Sequence, residues 1–383
     1  MVLFLHNRYR TTGGEERVVD DLLWLVRERL SRPAELLARS SEDFGRGRAA
    51  LGLMRGGLDP DEVGRAVRER GARVVHAHNL QPAFGWRALA AARAAGARVV
   101  LHLHQYRLVC AIGVCFTRGE ECTRCHGSNT LPGVRLNCRG SRPEAAAYAA
   151  SLALWQRRMV SNVDAIVVPS VFARERLREL GAPLDWGRVH VLAPPVRAFD
   201  ALARPATGVA AELPSYALVV SRLAPEKGVD IAIDACRAAG ITLLVAGDGP
   251  ERGALEAHAA TGRGVAGATV RFVGHVDDAE LAELRARASI ALVPSRSAET
   301  FGLAAAEAMA AGLPVAASRV GALAELVEED SLVPPGDATA LAGAIGRLAG
   351  DRAAGEQARE RARAVCAPEV VARRLAELYD SGA

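Results

Sequence analysis

Short runs of β-branched and aliphatic residues alternate with segments of helical periodicity along almost the whole chain, and no other feature restricts the fold as much. Strands that alternate with helical segments return parallel to one another, so the pattern implies a parallel sheet covered by helices on both faces. The alternation comes in two series. VLFL (2–5), RVVHAH (73–78), RVVLHLH (98–104) and AIVVP (165–169) read as strands of the first, and EERVVDDLLWLVRERL (15–30) repeats its apolar positions at helical spacing. YALVV (216–220), ITLLVAG (241–247), TVRFVG (269–274), IALVP (290–294) and LPVAAS (313–318) form the second. Residues 197–215 break the rhythm with Pro and Gly and read as a linker. At 383 residues the chain also exceeds the size at which a single core usually splits. The expected architecture is α/β: two facing, Rossmann-like, doubly wound parallel-sheet domains. Ligands in such sheets sit beyond the carboxyl ends of the strands, so two facing domains would form one interdomain cleft.

The 48 basic and 44 acidic residues leave a net charge of +4, too even a mixture for a nucleic-acid-binding stripe. No apolar run approaches the roughly 20 residues that span a bilayer, and VLFL is too short for a signal-peptide core. A cytoplasmic protein with at most peripheral membrane contact is expected. Five of the seven cysteines fall within 29 positions, 110–138. In a chain with no export signal that crowding suggests metal or free thiols before disulfides. Cys122-x2-Cys125 is a metal half-site that Cys110 and Cys138 could complete as a structural four-thiolate zinc site, with Cys115 and His126 as substitutes. The flanking cysteines stand singly, and reduced thiols packed as small hydrophobes, or disulfides, are the competing readings.

The residues with chemistry fall at strand ends. The first strand leads through a loop into a helix at Gly13-Gly14, where backbone N–H groups are available to a ligand or the pair simply makes the turn. His102 and His104 share a strand face; a core histidine accounts for one of them, and His104 is better placed for the cleft. In VVSRLAPEKG (219–228), Arg222 and Lys227 follow a strand across a Pro-containing turn and suit a diphosphate, although a solvated loop would tolerate them. AGDGP (246–250) adds a Gly-bearing strand end with Gly249. In SAETFGLAAAEAMAAGLPV (297–315), Glu299 and Glu307 stand in an apolar run, where an ionised carboxylate needs a partner. The plain alternative puts Glu299 in a solvated loop and Glu307 at the favourable end of a helix dipole. With a helix starting near Gly302, the N–H groups around Phe301–Leu303 form an anion site flanked by two carboxylates able to accept hydrogen bonds from sugar hydroxyls.

Across about 216–340 the segments SRLAPEKGVD, AGDGPE, FVGHV, PSRSAETFGLAAAEAMAAGLPV and LVPPGD resemble, in order and spacing, the family 4 retaining glycosyltransferases. These have a GT-B architecture, an E-x7-E motif (here Glu299 and Glu307) and an upstream Arg and Lys pair (here Arg222 and Lys227). GGEE (13–16), VVHAHN (74–79) and LHLHQYRLVC (101–110) carry the resemblance in the first half. It implies transfer of a sugar from a nucleoside-diphosphate sugar to a hydroxylated acceptor (small metabolite, glycan or lipid-linked), with retained anomeric configuration and no catalytic metal. Arg222 and Lys227 would neutralise the diphosphate, Glu307 hold the ribose, Glu299 and His104 contact the transferred sugar, and Gly13, Gly14, Gly249, Thr300, Phe301, Gly302 and Leu303 line the donor site. Glu15, His78, Asn79 and Tyr106 would lie on the acceptor side. The domains are then 1–196, acceptor-side, with the Cys-rich insertion 105–141; 216–360, donor-binding; and a C-terminal helix, 361–383, packing back toward the first. The chain departs from the pattern at His104-Gln105, where relatives commonly have His-Asp, and at Gly321-Ala322, where they often have Gly-Gly. A sugar-nucleotide epimerase and a degenerate nucleotide-sugar-binding subunit are the alternatives; no G-x-G-x-x-G follows the first strand to support a dinucleotide oxidoreductase. On this reading Glu307→Ala costs roughly 1.5–3 kcal/mol of donor binding and leaves the fold intact.

Overall fold

The computed structural model describes residues 1–8, 13–40, 42–199, 215–261 and 269–381. The chain divides into two compact units: 1–117 with 122–195 and 368–383, and 118–121 with 196–367. Most of the expected linker, 200–214, lies outside the described residues.

The first unit is built on six parallel strands: β1 (Val2–Arg8), β2 (Ala34–Ser40), β3 (Val74–Ala77), β4 (Arg98–His102), β5 (Ala165–Val168) and β6 (Val189–Val191), in the order β2-β1-β3-β4-β5-β6. Strand alternation sorts the central residues cleanly. Leu3, Leu5, Val75, Ala77, Val99 and Leu101 enter one core with Val63 and Val67 of helix Pro60–Glu69, Leu89 of helix Gly85–Ala94 and Phe84 just before that helix. The other face carries Phe4 and His6 on β1, His76 on β3 and His102 on β4, and Tyr379 of helix Pro368–Asp380 packs edge-on against His76.

The second unit has β7 (Ala217–Val220), β8 (Leu243–Ala246), β9 (Val270–Gly274), β10 (Ile290–Val293), β11 (Val315–Ser318) and β12 (Leu332–Val333), all parallel, in the order β9-β8-β7-β10-β11-β12. Ala217, Val219, Leu243, Val245, Ile290 and Leu292 pack against helices Val229–Ala239 and Ala338–Leu348; Tyr216, Leu218, Leu244 and Ala246 face the other way, onto Leu284.

Three strands of these two sheets escaped the sequence reading: β2, β6 and β12. All three are sheet edges. A central parallel strand is covered on both faces and reads as a continuous apolar run, whereas β2, AELLARS, is half exposed along most of its length and so alternates with polar residues. Among the described residues no helix is long and apolar enough to cross a membrane.

Candidate active site

In the second sheet the strand order reverses between β7 and β10, which are hydrogen-bonded neighbours although two other strands separate them in the chain. A crevice opens at the carboxyl ends of strands at such a point. From β7 the chain runs through Arg222 into a 3-10 turn, Pro225–Lys227, then Gly228 and a helix. From β10 it runs through Ser295–Glu299 to Gly302 and helix Leu303–Ala310. The two loops are tied together. Arg296 and Ser297 donate their backbone N–H groups to Glu226 O at 2.8 and 3.3 Å, and Gly228, at φ +64°, lies so close to Pro294 O that a Cβ would approach it to 2.1 Å.

This register brings Lys227 to Glu299. Lys227 Nζ donates to Glu299 Oε1 at 2.6 Å and Ser295 Oγ to the same oxygen at 2.7 Å. Burial pushes the Glu299 carboxyl up, but the Lys227 ammonium and these hydrogen bonds outweigh it and hold the group below its usual value. Glu299 is also fixed from behind. Gly321, at φ +56°, packs on its backbone so closely that a Cβ would lie 2.5 Å from Glu299 N, and Ala322 N–H donates to Glu299 O at 2.9 Å. The Ala322 side chain is buried. Glu299 is therefore no solvated loop acid. Arg222 is about half exposed and pairs with Glu226. Gly249 N–H turns onto its neighbour Asp248 at 2.7 Å, and its Cα lies against the Leu223 backbone, where any side chain would collide.

Lys227 is the sole lysine of the chain, one among 48 basic residues. Wherever a cation only needs to be solvated or to fork onto a carboxylate, arginine serves; a single retained ammonium marks a place that needs a compact point charge. That count was available in the sequence and was the strongest unused pointer to this position.

Glu307, in the second turn of helix Leu303–Ala310, is 5% exposed and ion-paired with Arg285, also 5% exposed, of helix Asp278–Arg287. The helix-dipole reading of Glu307 is thereby replaced by a buried pair. Arg285 was missed in the sequence, where its only signal is an arginine on the apolar stripe of Leu281 and Leu284.

In the first unit the predicted residues again gather at the carboxyl ends of β1, β3 and β4. Gly13 N–H donates to Glu16 Oε2 at 2.9 Å, capping helix Gly14–Glu28 rather than facing outward unpaired. Gln105 Nε2 donates to Glu15 Oε2 at 2.7 Å, so the departure from His-Asp still leaves His104 beside an acid, contributed by another segment. His78 Nδ1 and His104 Nε2 share a hydrogen bond of 2.8 Å. Burial lowers the His104 imidazole, with Glu15 pulling the other way. Glu15 and His104 are partly exposed; His78, Asn79 and Tyr106 are buried. Tyr106, expected to face an acceptor, is 1% exposed and belongs to the core; Asn79 donates to Asn7 O at 2.6 Å, locking the end of β3 onto β1.

His76, His78 and His102 place ligand atoms within 4.8 Å of one another. His76 stacks on both His78 and His102, lying 9° from parallel with the latter, and in-plane lone pairs of parallel rings do not converge on one ion. The set is better described as a column of neutral imidazoles: burial drives all three below their usual value, His76 to about 3. Cys110, Cys115, Cys122, Cys125 and Cys138 line one small pocket, while the His126 ring stands against Gly181, apart from them.

Comparison with known proteins covers both units. Residues 8–195 match the family described as glycosyl transferase 4-like domain and residues 214–351 that described as glycosyl transferases group 1. Glycogen synthase of Mycobacterium tuberculosis is 37% identical over 217 residues, 54% of this chain and 50% of that protein. A GDP-mannose-dependent phosphatidylinositol dimannoside mannosyltransferase of the same species is 37% identical over 190 residues, 45% of this chain and 46% of that protein. The chain thus spans about half the length of these relatives in the aligned regions. Two solved structures share the fold over 99% of this chain: HepE of Anabaena in complex with UDP and glucose, covered over 99% of its length (TM-score 0.64, 19% identity), and sucrose-phosphate synthase of Thermosynechococcus elongatus, covered over 98% (TM-score 0.66, 20% identity). With two parallel-sheet units of this kind, each matched by a glycosyltransferase family, the chain belongs to the GT-B glycosyltransferases of the family 4 type.

Proposed function

We propose that the chain is a retaining glycosyltransferase that moves a sugar from a nucleoside-diphosphate sugar to a hydroxyl acceptor without a catalytic metal. The observation that supports this best is the pairing of the sole lysine with Glu299 at the switch point of the second sheet, beside Arg222 and the start of helix Leu303–Ala310. Two cations and a helix N-terminus suit a diphosphate, and a carboxylate held ionised can accept hydrogen bonds from sugar hydroxyls. The complexes of HepE with UDP and with UDP-glucose support the donor class.

In the proposed same-face substitution the bond from the anomeric carbon to the β-phosphate oxygen breaks as that to the acceptor oxygen forms. The electron pair leaves on the diphosphate, and the acceptor proton passes to a departing phosphate oxygen. Negative charge grows on the diphosphate, where Arg222 and Lys227 offset it. Glu307, oriented by Arg285, holds the ribose. Thermal melting with UDP, GDP, dTDP and ADP sugars tests the donor: a ligand at 100 times its Kd stabilises by about 2.7 kcal/mol. NMR of the product then reads the anomeric configuration. Failure of every nucleotide to shift the melt overturns the donor class, and an inverted product overturns the stereochemistry.

Lys227→Ala is expected to lower kcat roughly 10²-fold with a smaller change in KM, because the ammonium matters most as charge develops. Lys227→Arg should fare little better, since a planar fork does not replace a point charge. Both variants remove the ammonium that holds Glu299 down, so the acidic limb of the pH–rate profile should shift upward in Lys227→Ala. Wild-type activity should survive excess chelator; a strict requirement for added magnesium or manganese would refute the metal-free mechanism.

A further inference from the structure

The segment from Gln105 to Ser141 has little regular structure of its own: a 3-10 turn, Tyr106–Leu108, two two-residue strands and a short helix, Leu131–Arg135. It is gripped from outside by helix Arg142–Ser161, whose Tyr148 donates to Arg107 O at 2.6 Å and whose Gln156 donates to Leu108 O and Gly127 O at 2.7 and 3.0 Å. A loop of this length in a compact unit is normally held from inside as well. What lies inside is sulfur. Cys110, Cys115, Cys122, Cys125 and Cys138 share one pocket with Ala111, Phe116, Pro132 and Leu136, and it has room for about one water-sized occupant.

The backbone lays the sulfur-bearing limbs against one another. Cys122 N–H donates to Cys115 O at 2.7 Å, laying the Cys122-x2-Cys125 limb against the first. Gly133 permits the closure, since a Cβ there would come 2.3 Å from Ala111 Cβ and 3.8 Å from Cys125 Sγ. Cys138 is the third residue after the short helix, its N–H on Gly133 O at 3.0 Å, and its half-buried thiol reaches Thr117 Oγ1 at 3.7 Å.

We propose that Cys110, Cys122, Cys125 and Cys138 bind one zinc ion as four thiolates and that the ion holds this segment together. Cys138 is chosen over Cys115 because it brings the far end of the segment to the ion, and closing the longer loop restricts the unfolded chain more. Cys115, 1% exposed, lines the same pocket as a packed thiol. A tetrahedral site with Zn–S near 2.3 Å gathers its sulfurs tightly. Among the described residues the trio already within 4.8 Å is the histidine set, so binding draws the sulfur limbs inward and is coupled to ordering of the segment.

The full chain, purified under reducing conditions without added metal, should carry close to one zinc per chain by elemental analysis. After stripping, titration with cobalt should produce the thiolate charge-transfer and tetrahedral ligand-field bands, and hydrogen exchange across 105–141 should slow when zinc is restored. The double variant Cys122→Ser, Cys125→Ser should lose at least ten-fold in zinc content, whereas Cys115→Ser should keep it. A metal-free chain whose cobalt spectrum is octahedral overturns the site without reliance on any variant; zinc lost in Cys115→Ser but kept in Cys138→Ser overturns the ligand assignment.

Discussion

Below about pH 6.5 the first unit should lose stability at about 4 kcal/mol per pH unit. His76, His78 and His102 are held neutral, first by burial and then by neighbouring imidazole charge, His76 to about 3. In the unfolded chain each regains an ordinary imidazole value near 6.5 and takes up a proton, so the unfolded state binds more protons below that pH. Their contribution is fully present above the unfolded value and is withdrawn as pH falls toward the folded values, at about 1.4 kcal/mol per pH unit for each group. Against a total of about 5–15 kcal/mol this should unfold the unit between about pH 5 and about pH 3. All four tryptophans, Trp24, Trp86, Trp155 and Trp186, belong to this unit, so urea unfolding followed by tryptophan fluorescence reports it selectively. His102→Phe should cut the slope from three protons to two. Stability that stays level from pH 7 to 5 would show that the column is not neutral.

Glu307→Ala should destabilise the second unit by about 3–5 kcal/mol, because it strands Arg285 as an unpaired buried charge. This revises the expectation that the substitution leaves the fold intact; the expected loss of donor binding stands beside it. The pair, not the carboxylate alone, is the structural element. Hydrogen exchange in helices Asp278–Arg287 and Leu303–Ala310 should accelerate sharply in Glu307→Ala. The double variant Glu307→Leu, Arg285→Met should restore protection, since apolar replacement of a buried pair is often neutral or stabilising. The same double variant should remain unable to bind the donor if Glu307 holds the ribose. Unchanged exchange in the single variant would refute the structural coupling, and donor affinity retained in the double variant would refute the ribose contact.

The amino-acid sequence by itself determined the central strands of both sheets and the loops that carry the candidate site. Parallel strands covered on both faces need continuous apolar runs, and that requirement is local; so is the need for glycine at Gly228, Gly302 and Gly321, where φ is positive. The edge strands β2 and β6 stayed hidden because partial burial leaves only a weak pattern, and β12 because it is two residues long. Tertiary structure alone decided the partners: Lys227 meets Glu299 from 72 positions away, Arg285 meets Glu307 from 22, and His76 shares a 2.7 Å hydrogen bond with Tyr379, 303 positions distant. Periodicity tells a residue which way to face. Which charge it finds there depends on the strand order, because a sheet that runs β9-β8-β7-β10-β11-β12 places side by side loops that the sequence keeps far apart.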